Sequence, residues 1–277
     1  MSGRLVVTGI GIRLACQITS EARSEIEGAD KFLYLVGDPA AEEWVRRLNS
    51  TAESLADCYR EGQSRARAYE AMVERMLSPV RSGLKVCVAF YGHPGVFVYP
   101  SHEAIRIARS EGYEARMLPG ISAEDCLFAD LGIDPGRSGC QSYEATDFLV
   151  NERRIDPRSS LILWQVGLVG RVESLLDGLG DNRQGLSILR DVLVSYYSPE
   201  HDAVIYEASP YVVLDSSIRT VPLGRLLEAE LSSASTLFVP PLPSRVNESM
   251  LQRLGIDRSN LPVASGCWEG VSSLGQR

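Results

Sequence analysis

Short apolar runs recur along the chain, separated by stretches whose apolar residues repeat every three or four positions. The runs at Leu5 to Val7, Phe32 to Val36, Lys85 to Phe90 and Ala115 to Leu118 read as strands. From Ser64 onward, Tyr69, Met72, Val73, Met76, Leu77 and Val80 fall at helical spacing, with Ser64 where an N-cap belongs and Gly83 where the helix should stop. This alternation predicts an α/β fold with a mainly parallel sheet flanked by helices. SSLILWQVG (Ser159 to Gly167), AVIYEA (Ala203 to Ala208) and STLFVPP (Ser235 to Pro241) read as further strands. Helical patterns around Val172 to Leu179, Leu186 to Tyr197 and Leu223 to Leu231 separate them, so a second α/β unit is expected. The boundary is placed near Pro119 and Gly120, giving a first domain over 1–119, a second over 120–241 and a short tail over 242–277 with one helix at Glu248 to Leu254.

Three segments carry candidate chemistry. FYGHPGVFVYPSH (Phe90 to His102) puts a glycine-rich turn where a strand feeds a helix, the place where α/β folds hold ligands. LPGISAED (Leu118 to Asp125) repeats that arrangement, and Ser122 with Asp125 is a helix-capping signature that leaves free amides for a ligand. The third is YREGQSRARAY (Tyr59 to Tyr69), in which Arg65 and Tyr69 stand four apart and share a face at the start of a helix, with Tyr59 on the approach. Spacing alone also allows Tyr69 to be core and Arg65 a solvated first-turn residue. GIG at Gly9 to Gly11 lacks the third glycine of a dinucleotide fingerprint and reads as a tight turn near a ligand. His93 reads as a turn residue, His102 as structural and His201, in PEHD, as a surface loop residue.

Length and charge narrow the classes. The chain has 277 residues, enough for two domains. With 28 Lys and Arg against 36 Asp and Glu its formal charge is −8, which disfavours a nucleic-acid substrate. Six cysteines and three histidines show no metal-ligand spacing, so no metal is expected and the thiols are read as reduced. Neither a signal peptide nor a membrane-spanning run is visible, and the expected location is cytoplasmic.

Taken together, LVVTGIG (Leu5 to Gly11), YREGQSRARAY, FYGHPGVFVYPSH, ARMLPGISAEDCLFAD (Ala115 to Asp130), YEATDFL (Tyr143 to Leu149), WQVG (Trp164 to Gly167) and STLFVPP resemble the tetrapyrrole methylase superfamily. Within it the resemblance is to the borosin peptide-backbone α-N-methyltransferases, since YGHPG and GIGIRL depart from the acidic GDP turn and first-loop Pro-Gly of general members. The resemblance implies two α/β domains with S-adenosylmethionine in the crevice between them. It places cofactor contacts on Tyr91, His93, Val96, Ser122, Ala123, Gln165, Ala208, Ser235 and Thr236, and the catalytic group on Tyr59, Arg65 and Tyr69. It also suggests a homodimer.

A backbone amide is a poor nucleophile because its nitrogen lone pair is delocalised into the carbonyl. A tyrosinate can take its proton, and a neighbouring arginine stabilises that tyrosinate. The expected roles are Tyr59 as base, Arg65 as electrostatic activator and Tyr69 as an orienting hydroxyl, with the order of the two tyrosines open. Fungal relatives of this type carry the substrate as a C-terminal extension, whereas residues 242–277 contain no long Val- and Ile-rich run. The resemblance therefore suggests a split, bacterial-type enzyme in a heteromeric complex with a separate precursor peptide that carries a recognition domain. The alternatives are a tetrapyrrole, diphthine or ribosomal RNA methyltransferase on the same scaffold, and a non-catalytic peptide-binding relative.

Overall fold

The computed structural model describes residues 3–60, 63–171 and 182–261, and the helical pattern expected around Val172 to Leu179 lies outside them. Two compact units emerge. The first gathers the described residues through Asp130 together with Ala208–Ser216, and the second gathers most of the remainder.

In the first unit, β1 (Arg4–Gly9), α1 (Ser20–Glu27), β2 (Lys31–Leu35), α2 (Pro39–Leu48), β3 (Glu53–Ser54), α3 (Arg65–Arg81), β4 (Lys85–Phe90), α4 (Tyr99–Ser110), β5 (Glu114–Met117) and α5 (Ala123–Leu131) follow in order. The five strands are all parallel, in the order β3-β2-β4-β1-β5. Because side chains alternate across a strand, β4 sends Val86, Val88 and Phe90 into a core with Met72, Met76 and Val80 of α3 and Ala104 and Ala108 of α4. Its Cys87 and Ala89 enter the opposite core with Ile26 of α1 and Val45 of α2. Both faces are therefore covered, which is why the strands read as nearly continuous apolar runs.

Ser64 occupies the N-cap of α3 in extended conformation, but its hydroxyl makes no capping bond. Asn49, at the end of α2, is better used. Its Nδ2 donates to the Ile26 and Ala29 carbonyls at 2.7 and 2.9 Å, and its Oδ1 accepts from Thr51 N and Oγ1 at 2.8 and 2.7 Å. All its polar capacity is spent joining three segments. Asn49→Ala should lower stability by about 2–3 kcal/mol, because it strands buried partners. A urea titration should show an earlier midpoint with an unchanged slope.

The second unit contains α6 (Pro135–Ser138), β6 (Cys140–Glu144), α7 (Ala145–Val150), β7 (Ser160–Trp164), α8 (Arg183–Val194), β8 (Asp202–Glu207), β9 (Ser217–Pro222), β10 (Thr236–Val239) and α9 (Glu248–Leu254). Its sheet runs β6-β7-β10-β8-β9. Only β6 and β7 are parallel; β10 is antiparallel to both of its neighbours, and β8 to β9. The mainly parallel arrangement expected from the sequence thus describes the first sheet and not the second. Ala208–Ser216, which links β8 to β9, contains no crossover helix, so the two strands pair as a hairpin. The segment expected as a helix around Leu223 to Leu231 is a 3₁₀ turn at Leu223–Glu228.

The link itself is counted with the first unit and is tied to it at three places. Leu14 N donates to Pro210 O at 2.8 Å, the Tyr211 hydroxyl donates to the Asp38 carboxylate, and Ser216 Oγ donates to Asp130 Oδ2 at 2.6 Å.

Candidate active site

The loops that leave the carboxyl ends of β1, β4 and β5 meet backbone to backbone. Gly92 N donates to Gly11 O at 2.8 Å, closing an isolated bridge between the first two loops. A Cβ on Gly9 would stand 2.1 Å from Gly92 O, and one on Gly120 would stand 2.8 Å from the same oxygen and 3.0 Å from Gly9 Cα. Only glycine allows these approaches. The third loop then starts α5 with a reciprocal cap: Asp125 N donates to Ser122 Oγ at 3.2 Å, while Ser122 N and Oγ donate to the Asp125 carboxylate, both at 2.7 Å.

His93 and His102 shape the middle loop. Gly95 N donates to His93 Nδ1 at 3.0 Å, and His102 Nε2 reaches Gly95 O at 2.9 Å. A carbonyl can only accept, so His102 carries its proton on Nε2, and His93 Nδ1 acts as an acceptor. His93 is a turn residue and His102 a structural one in the first turn of α4, as read from the sequence. His201 is not simply a surface residue: its Nε2 reaches Pro240 O at 2.9 Å and its ring centre lies 4.9 Å from that of Tyr197.

Tyr59, Arg65 and Tyr69 fall together in the first unit. Tyr59 follows a 3₁₀ turn at Ala56–Cys58, while Arg65 and Tyr69 occupy the first turns of α3. The Tyr59 and Tyr69 rings meet edge to face at 6.4 Å, and the two phenols act on one another electrostatically. Tyr99, which the sequence reading passed over, brings its ring to 6.0 Å from Tyr69. Tyr91 joins electrostatically, so three phenols gather around that of Tyr69. Burial pushes the Tyr59 phenol well above the usual tyrosine range, Tyr69 and Tyr91 push it further, and Arg65 pulls the other way without reversing the sum. Tyr91 is raised too, by desolvation first and then by Tyr69, although 58% of its surface is exposed. The net direction at Tyr59 is therefore opposite to the one expected from Arg65 alone.

The other expected contacts divide between the units. Tyr91, His93, Val96, Ser122, Ala123 and Ala208 belong to the first, and Gln165, Ser235 and Thr236 to the second. In the second unit, Gln165 directly follows β7 and takes a left-handed backbone with φ +56, which is unusual for a residue with a side chain. Val166 N donates to Ser235 O at 3.1 Å, and the fully buried Ser235 donates its hydroxyl to Glu207 Oε1 at 2.5 Å. Thr236 begins β10 beside it. Glu207, absent from the sequence reading, also lines a cavity of about 410 Å³ with Arg219 and Ser232. Its isolated position in AVIYEA offered no signal.

The family described as Tetrapyrrole (Corrin/Porphyrin) Methylases matches residues 4–208, which include the glycine loops after β1, β4 and β5. The chain belongs to the tetrapyrrole methylase family. Among its relatives in this family, the chain is 47% identical over 243 residues to a protein of Dendrothele bispora named as methyltransferase and ribosomally synthesized cyclic peptide dendrothelin A precursor. That match covers 86% of this chain and 58% of the relative. The corresponding omphalotin A precursor of Omphalotus olearius is 43% identical, covering 91% and 61%. A type I borosin precursor of Coprinopsis marcescibilis is 40% identical, covering 98% and 72%. The chain thus spans about three-fifths of the length of the first two relatives. Two solved tetrapyrrole methylase structures share the fold: uroporphyrin-III-C-methyltransferase from Thermus thermophilus at 18% identity, covering 86% of this chain and 92% of that one, and a cobalt precorrin-4 methyltransferase at 15%, covering 85% and 94%, both with a TM-score of 0.61. These relatives do not support a split, bacterial type, because the curated ones are fungal and their names join methyltransferase and precursor in one chain.

Proposed function

We propose that this chain is an S-adenosylmethionine-dependent methyltransferase that acts on backbone amide nitrogens of a ribosomally made precursor peptide. The observation that carries the reading is the edge-to-face pair of phenols, Tyr59 and Tyr69, on and beside the helix that also bears Arg65.

The residues present suit the cofactor. Thr8 Oγ1, near the end of β1, and Ser101 Oγ, in the first turn of α4, are buried without a hydrogen-bond partner beside the glycine loops. The expected contacts are hydroxyls, an amide, the His93 imidazole and small apolar side chains with no lysine or arginine, a donor set compatible with a sulfonium cation. In this reading Tyr91, His93, Val96, Ser122, Ala123, Ala208, Gln165, Ser235 and Thr236 hold S-adenosylmethionine, which supplies an electrophilic methyl group when bound.

The chain's own residues prepare the amide. Tyr59 Oη takes the proton from the amide nitrogen. Arg65, with the Tyr69 hydroxyl, supports the oxygen that gains charge as the amide acquires imidate character. The nitrogen lone pair freed in this way could accept the methyl group of bound S-adenosylmethionine, whose S–CH₃ bond would break as N–CH₃ forms, the neutral thioether leaving with the bonding pair. The reading includes a homodimer and a complex with the precursor, both observable by light scattering.

The test supplies S-adenosylmethionine with and without a precursor peptide of the borosin type and reads both chains by intact mass and fragmentation. Methyl groups on backbone nitrogens of the added peptide support the reading with a separate substrate. Methyl groups on backbone nitrogens of this chain support the fused arrangement of the fungal relatives. Methylation only of carbon, oxygen or a tetrapyrrole overturns it.

A further inference from the structure

Three acidic or thiol contacts converge on one side chain of α3. Arg75 pairs with Glu53 of β3 through one guanidinium nitrogen and with Asp57 through the other, and the latter nitrogen also reaches Cys58 Sγ at 3.7 Å. Glu53 is held in turn by Lys31 of β2. Asp57 and Cys58 are the last two residues of the 3₁₀ turn that delivers Tyr59, and the turn is closed by Tyr59 N donating to Ala56 O at 3.0 Å. Its inner side is fixed by fully buried Leu55, whose amide donates to Tyr34 O at 2.8 Å.

We propose that Arg75 is a positioning residue for the reaction: its guanidinium locks the Asp57–Cys58 turn to α3 and so sets the Tyr59 hydroxyl against Tyr69 and Arg65. The proposal rests on the reading of Tyr59 as the group that takes the amide proton. A planar fork suits the task because it can serve two carboxylates and a thiol in fixed directions, whereas the single ammonium of a lysine cannot. Glu53 is held below the usual carboxylate range by its bond to Arg75 first and to Lys31 second, so the network stays charged at neutral pH. Its members are part-exposed, with 30% of the Arg75 side chain and 67% of the Asp57 side chain accessible, so the ion pairs add little to global stability. Their use lies in orientation, where a displacement of about 1 Å costs far more in rate than in folding.

The experiment is a kinetic double-mutant cycle on the full chain with precursor peptide and S-adenosylmethionine. Arg75→Gln should lower kcat about tenfold with the peptide KM and cofactor affinity close to parent values, and Arg75→Lys should recover part of the loss. Asp57→Asn, on an exposed carboxylate that leaves the core untouched, should lower kcat in the same direction. In a Tyr59→Phe background, Arg75→Gln should add no further loss, because the group it positions is already gone. Multiplying losses overturn the proposal, as does a parental kcat in Arg75→Gln or a change confined to KM. If Tyr59→Phe is slow while Arg75→Gln is not, only the role of Arg75 falls. If Tyr59→Phe turns over at the parent rate, the base assignment falls and the role of Arg75 with it.

Discussion

A Tyr59→Phe chain is expected to bind S-adenosylmethionine as the parent does and to lose about two to four orders of magnitude in turnover. The substitution removes one oxygen and leaves a ring that can still meet Tyr69 edge to face. Binding and fold should therefore survive while proton transfer does not. The pH profile sharpens the test. Burial holds the Tyr59 proton more tightly than a free tyrosine does, so the phenolate is the minor species at neutral pH, and its share rises about tenfold per unit on going alkaline. The parent kcat should climb with pH through the neutral and mildly alkaline range, and the Phe variant should be flat. Isothermal titration with the cofactor and single-turnover kinetics across pH read both halves; a parental rate in Tyr59→Phe would falsify the mechanism.

Gly9→Ala should be among the most damaging single-methyl additions in the first unit. The new Cβ would stand 2.1 Å from the Gly92 carbonyl oxygen, a backbone atom fixed by its bridge to Gly11, so neither side can yield cheaply. A cost of about 3 kcal/mol or more is expected from overpacking of this kind. Cofactor binding should fail with it, since the loops after β1, β4 and β5 could no longer close on one another. Gly37→Ala is the control, with nothing within 4 Å of its added methyl and no left-handed backbone to strain. Urea midpoints and cofactor titrations of the pair should diverge widely; equal midpoints would remove the close approach from the account.

What the sequence made legible follows burial. β4 was read at its observed bounds because every residue after Lys85 is buried, and β1 and β2 were read to within a few residues for the same reason. β6 and β9 were missed because both are edge strands whose residues stay partly exposed, and CQSYE and SIRTVP carry no apolar run to betray them. The direction of the strands in the second sheet was not legible either, because strand periodicity is the same for parallel and antiparallel partners. At the candidate site, Arg65 and Tyr69 share a helix, so spacing placed them side by side. Tyr99 reaches Tyr69 from another helix and Arg75 reaches the turn before Tyr59 through ion pairs, relations that spacing along one segment cannot express. The pKa of Tyr59 was misjudged because local sequence names the nearby cation but not the burial that outweighs it.

The link between β8 and β9 has a consequence for how the chain is made. Leu14, Asp38 and Asp130 are synthesised early, yet their partners Pro210, Tyr211 and Ser216 emerge from the ribosome only after most of the second sheet has been translated. The first unit therefore cannot complete its bonding while it is the only part outside the exit tunnel, and a gene fragment cut after its last contiguous helix would encode a body missing one of its own seams. Swapping this half between relatives would require carrying the later segment along with it.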